Sequence, residues 1–112
     1  MENSSEKRRH PRIEVEWPVI VSKGDDFIEG ETKNIAFDGI SIFCEEPLPL
    51  DEIISISIEP PGQQSIVISG RVIWSDVYGI DDQNTTYAIG LCFVKISDED
   101  RSRFLDLISD IL

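Results

Sequence analysis

From Ile13 onward the chain alternates. Ile13, Val15, Trp17, Val19 and Val21 are separated by Glu14, Glu16, Pro18, Ile20 and Ser22, the period of two that sends successive side chains to opposite faces of a strand. Pro18 marks an edge position or a bulge, because proline cannot donate to a ladder. Lys23-Gly24-Asp25-Asp26 reads as a turn, and Phe27 to Ile35 as a second strand returning beside the first. Beyond the bend Asn34 to Gly39, Ile40, Ile42 and Cys44 alternate with Ser41, Phe43 and Glu45 as a third strand. Glu46 to Leu50 is a connection, and Ile54, Ile56 and Ile58 alternating with Ser55, Ser57 and Glu59 form a fourth strand that Pro60-Pro61-Gly62 ends. Ser65 to Val77 supplies a fifth with Ile66, Ile68, Val72 and Trp74 inward, although Gly70 signals a bulge that can change the face. Tyr78 to Thr86 reads as a polar loop and Tyr87 to Lys95 as a sixth strand. Ser97 with Asp100 resembles a capping box, and Phe104, Leu107, Ile108, Ile111 and Leu112 recur at helical spacing, which predicts a helix over 98–111.

Six short strands without an intervening helix predict an all-β-dominated fold, a small six-stranded antiparallel barrel or sandwich with a C-terminal α-helix along its flank. The chain's 112 residues suit one domain. No run of 18 apolar residues occurs and no apolar stretch follows the charged N-terminus, so no membrane insertion and a cytoplasmic location are expected. Cys44 and Cys92 form no CxxC pair and have only His10 beside them, so neither a zinc site nor a disulfide scaffold is expected. The glycines match neither a nucleophile elbow nor a phosphate-cradling loop. Asp76, Asp81 and Asp82 lack the spacing of a calcium loop. These absences argue against an enzyme and leave no cofactor to assign.

Charge divides the chain. Residues 1–12 carry Lys7, Arg8, Arg9 and Arg12 against Glu2 and Glu6, whereas residues 13–112 carry six basic and 20 acidic groups within an overall net charge of −12. So acidic a body repels a nucleic acid polymer, whose affinity is built from many phosphate contacts. A small anion held by a few arginines remains compatible. The division therefore separates a flexible basic arm over 1–12 from a folded domain over 13–112; composition alone reads the arm equally well as a solvated tail.

Two segments carry candidate chemistry. In Arg8-Arg9-His10-Pro11-Arg12 the proline biases His10 toward extended geometry. Arg8 and Arg12 then point to one side, and their guanidinium forks suit phosphate oxygens and the O6/N7 edge of guanine. Asn34-Ile35-Ala36-Phe37-Asp38-Gly39 offers an amide, backbone N–H groups and a glycine that lets a ligand approach; the same residues also suit an ordinary connection between strands.

Together these segments resemble the PilZ domain, a bacterial family with RxxxR near its N-terminus and D/NxSxxG some way later. Arg8 and Arg12 match the first motif, and Asn34, Ala36 and Gly39 the second. Gly70-Arg71-Val72-Ile73-Trp74 and Ala88-Ile89-Gly90-Leu91-Cys92-Phe93 resemble the family's later strands. The resemblance implies a six-stranded antiparallel barrel with a helix that binds cyclic di-GMP without catalysis, through Lys7, Arg8, Arg9, Arg12, Asn34, Ala36 and Gly39. Ala36 stands where the family has a serine whose hydroxyl helps hold the ligand. The implied function is a stand-alone cyclic di-GMP receptor that orders its arm over the ligand and passes the signal to an unidentified effector protein. The alternative is a PilZ-like adaptor or assembly protein that binds no nucleotide. Trp74 and Phe93, each within an alternating strand, are expected in the core.

Overall fold

The computed structural model describes residues 12–111. Six strands follow in chain order: β1 (Pro18–Lys23), β2 (Asp26–Ile35), β3 (Gly39–Cys44), β4 (Ile53–Ile58), β5 (Ile66–Ile80) and β6 (Thr85–Ile96). They are followed by α1 (Asp98–Ile111). The strands close into a barrel in the order β1-β2-β3-β6-β5-β4, every pair antiparallel. Closure removes the open edges that a six-stranded sheet would expose.

The interior follows from the alternation. Val19 and Val21, Ile40 and Ile42, Ile54, Ile56 and Ile58, and Ile66, Ile68 and Val72 are all buried. β-branched side chains dominate because their stiff χ1 suits the pleated wall of a narrow barrel. The helix closes one flank. Ser97 Oγ accepts from the Asp100 N–H at 3.1 Å, capping the first turn as expected. Phe104 and Ile108 are buried on its inner stripe, and the Phe93 ring meets Phe104 edge-on at 5.3 Å. Asp100 Oδ2 accepts from the Val67 N–H and Arg103 Nη2 donates to the Ser65 carbonyl, both at 3.1 Å, fastening the helix to the start of β5.

The structure corrects the sequence reading in two places here. The first strand begins at Pro18, not Ile13, because the preceding backbone is held differently. Trp17 N–H donates to Thr32 Oγ1 at 2.8 Å, that hydroxyl donates to the Val15 carbonyl, and only Ile13 makes a β-bridge, to Ile35. Pro18 is therefore the first residue of a strand, where its missing donor is tolerated. The segment read as a loop from Tyr78 to Thr86 is the end of a long β5–β6 hairpin with its turn at 81–84. Asp81 shapes that turn: its Oδ1 accepts from the Gln83 and Asn84 N–H groups at 3.0 and 2.7 Å. These bonds hold its carboxyl below the usual range. Among the described residues no cluster of metal-ligating side chains occurs.

Candidate functional site

One β-bridge assembles the site. Ile13 and Ile35 exchange both backbone hydrogen bonds at 2.8 Å, and Ile35 is fully buried in the core. Because the bridge is antiparallel, the residue before Ile13 comes to lie opposite the residue after Ile35. Arg12 is thereby brought against Ala36, so the end of the basic motif meets the turn between β2 and β3. Thr32, completely buried, secures the approach through its bonds to Val15 and Trp17.

The turn itself is tightly fixed. Ala36 N–H donates to the Gly39 carbonyl at 2.9 Å, and Phe93 N–H donates to the Asp38 carbonyl at 3.0 Å, which ties the turn to β6. The Ala36 amide is thus spent within the turn and is not one of the free N–H groups expected there. Gly39 also has a structural role beside the expected one. A Cβ there would come within 2.7 Å of the Leu91 carbonyl, so glycine is required by the close approach of β3 to β6.

Between this turn and the strands β5 and β6 lies a pocket of about 200 Å³ lined by Arg12, Asn34, Ala36, Asp38 and Gly39 from the N-terminal side and the turn. Ser41, Trp74, Gly90 and Cys92 contribute the facing wall. Four expected site residues, Arg12, Asn34, Ala36 and Gly39, therefore share one cavity. Lys7, Arg8 and Arg9 lie outside the described residues.

Trp74 departs from the core position expected of it. It is half-buried at the pocket rather than in the core. The β5–β6 ladder slips between Ser69 and Gly70 and again between Val72 and Trp74, leaving Ile73 exposed and Trp74 opposite Gly90. A Cβ on Gly90 would fall 2.1 Å from the indole Nε1; the ring lies directly on the glycine. Gly70 signalled the first slip, but the second leaves no comparable mark in the sequence. Phe93, by contrast, packs against the core as expected. The site thus combines an exposed guanidinium, an amide, a carboxylate, a hydroxyl and an indole.

Both cysteines are free. Cys44 is buried and donates to the Glu46 carbonyl at 3.1 Å, and desolvation pushes its thiol pKa up. Cys92 is half-buried in the pocket wall.

The family model described as PilZ domain matches residues 6–110 of this sequence. The chain belongs to the PilZ domain family. Among solved structures it is similar to the PilZ domain with c-di-GMP of YcgR from Escherichia coli, at 15% identity and a TM-score of 0.76, covering 94% of this chain and 91% of that one. It is similar also to the MrkH–c-di-GMP complex of K. pneumonia, at 18% identity and a TM-score of 0.77 over 92% of this chain and 50% of that one. The inhibitor of motility of Bacillus subtilis is a third similar structure, at 17% identity and a TM-score of 0.69 over 90% of this chain and 48% of that one. The chain thus spans about half the length of the last two. At these identities the likeness establishes the shared fold. No curated protein matches the sequence.

Proposed function

We propose that this PilZ domain is a cyclic di-GMP receptor, a binding protein rather than an enzyme. The observation that carries this reading is the Ile13–Ile35 bridge, which puts Arg12 at the same pocket as Asn34, Ala36 and Gly39. The solved PilZ domain of YcgR from Escherichia coli with c-di-GMP and the K. pneumonia MrkH–c-di-GMP complex, both similar in fold, support the choice of ligand.

The pocket's chemistry favours a guanine over a phosphate. Asn34, Asp38 and Ser41 are rich in acceptors, and guanine presents the N2 amino donor that such acceptors can hold. The indole of Trp74 gives the base a flat surface. A cavity of about 200 Å³ is smaller than the roughly 300–1,000 Å³ of most whole-ligand sites. It therefore takes one base, and the phosphates and second base lie toward the arm, where Arg8 and Arg12, with Lys7 and Arg9, supply charge-assisted bonds. Closing of residues 1–12 over the ligand is the signal, read by an effector protein. Lys7 offsets the charge of crowded phosphates, so two stacked ligands per chain are expected.

Calorimetry and melting test this. A ligand held only by the native state adds about 2.7 kcal/mol at a hundredfold excess over Kd, a shift on the order of 10 °C for a domain of this size. Arg12→Ala is expected to weaken binding about tenfold or more while leaving the apo melting temperature nearly unchanged. Lys7→Leu is expected to lower the ligand count toward one. Cyclic di-AMP, with an amino donor where guanine has O6, is expected to bind much less. A melting curve unmoved by millimolar cyclic di-GMP overturns the receptor reading and leaves the adaptor.

A further inference from the structure

A second surface shares no residue with the pocket. On the outside of the barrel the Phe43 and Tyr78 rings meet at 4.5 Å, tilted by 50°. Three adjoining depressions open around this pair, and Phe43 lines all of them. Tyr78 is 62% exposed and neighbouring Ile80 75% exposed. Large apolar side chains gathered around one groove differ from single hydrophobes scattered on a surface, which need no explanation.

The rim of the groove has one sign. Glu14 and Glu16 lie at one end, Glu29, Glu31 and Glu45 at the other, and Asp81 at the hairpin turn, against the single ammonium of Lys33. Among the described residues none of these five glutamates has an ion-pair partner. Lys33 shows how the centre treats a cation: its Nζ sits 5.9 Å from the Phe43 centroid and 5.8 Å from that of Tyr78. The paired rings are thus already a seat for positive charge. An apolar centre ringed by carboxylates that have no ion-pair partner among the described residues complements a segment that alternates apolar with basic residues. A second copy of the chain, whose body shares this acidic character, is repelled.

We propose that the groove around Phe43 and Tyr78 is a docking surface for a basic, apolar-anchored segment of a partner protein. It is separate from the nucleotide pocket and does not rest on nucleotide binding. The partner's hydrophobic side chain covers the ring pair while its lysines or arginines meet the carboxylates on both sides.

The probe is a synthetic ten-residue peptide alternating lysine with phenylalanine and leucine, titrated into the ¹⁵N-labelled full chain without nucleotide. Amide shifts are expected to gather on Glu29 to Glu31, Phe43 and Tyr78 to Asp81. Tyr78→Ser, a change at an exposed ring, is expected to weaken the peptide about tenfold or more. The pair Glu29→Gln with Glu31→Gln is expected to weaken it severalfold, whereas Glu99→Gln with Asp110→Asn on the helix, an equal change in net charge, leaves it unaltered. The amide spectrum of each variant confirms that it is folded. Equal loss from the helix pair, shifts spread over the whole acidic surface, no effect of Tyr78→Ser, or dimerisation through the groove would each overturn the proposal. Cyclic di-GMP titrated into Tyr78→Ser separates the two sites, because nucleotide binding there is expected to match the parent chain.

Discussion

The ladders β1–β2, β1–β4 and β4–β5 run without a single slip, as does β3–β6, whereas β2–β3 slips between Thr32 and Asn34 and β5–β6 slips three times. The regular half supplies much of the isoleucine interior. The slipped ladders bring Asn34 and Trp74 to the pocket, where Gly39, Ser41, Gly90 and Cys92 of the unslipped β3–β6 ladder meet them. A slip changes which face a residue presents, and that is how a strand built to bury its side chains turns an indole toward the pocket. On the proposed function, the unslipped β1–β4 side of the barrel serves stability, and the slipped ladders together with β3–β6 serve recognition.

Substitutions in the two halves should break that division in order of size. Ile56→Ala, in the regular half with Ile56 only 1% exposed, is expected to cost about 2–5 kcal/mol in urea unfolding. Ligand affinity, measured where the variant is folded, is expected to stay unchanged. A large loss of affinity would mean the halves are coupled. Thr32→Val keeps the shape but leaves the Trp17 N–H and Val15 carbonyl unpaired, costing about 1–3 kcal/mol. Since it loosens the segment that delivers Arg12, calorimetry is expected to show weaker nucleotide binding as well.

Trp74→Ala is expected to do the reverse of Ile56→Ala. Loss of a stacking surface worth about 1–3 kcal/mol per base lowers cyclic di-GMP affinity tenfold or more, with a stability change well below that of Ile56→Ala. Smaller still, Ala36→Ser restores one neutral hydrogen bond, about 0.5–1.5 kcal/mol, and is expected to tighten binding a few-fold.

The smallest effect lies in the regular half and concerns pH. Ser57 and Ser65 donate to Glu59 at 2.6 and 2.7 Å and hold its carboxyl below the usual range. A folded pKa below the unfolded value contributes stability above the unfolded pKa, about 4.3 for Glu, and loses it as pH falls through the folded pKa. Glu59→Gln is therefore expected to flatten part of the acid limb of an unfolding profile. The ligand titration at neutral pH is expected to be unchanged.

The same division decided what was legible in the sequence. Ile54, Ile56 and Ile58 announce an inward face because nothing interrupts their alternation, and the barrel with its capped helix follows from such runs. Arg12, Asn34, Ala36 and Gly39 were legible as spaced motifs, which do not depend on register. Trp74 was not, since its facing is set by two slips that only pairing with β6 reveals. Ile13 to Trp17 alternates as a strand does, yet a threonine hydroxyl distant in sequence takes the bonds a neighbouring strand would have taken. In the hairpin end, Asp81, Asp82 and Asn84 masked a ladder that continues through Val77 and Ile80.

The placement of the two thiols gives the molecule a built-in reporter. Cys44 is buried and its burial favours the protonated, unreactive form, while Cys92 stands half-covered in the pocket wall. Alkylation proceeds through the thiolate and requires access. A maleimide or iodoacetamide reagent therefore distinguishes the two without any engineered residue, and the labelling rate at Cys92, followed by intact mass, reports how accessible the pocket wall is.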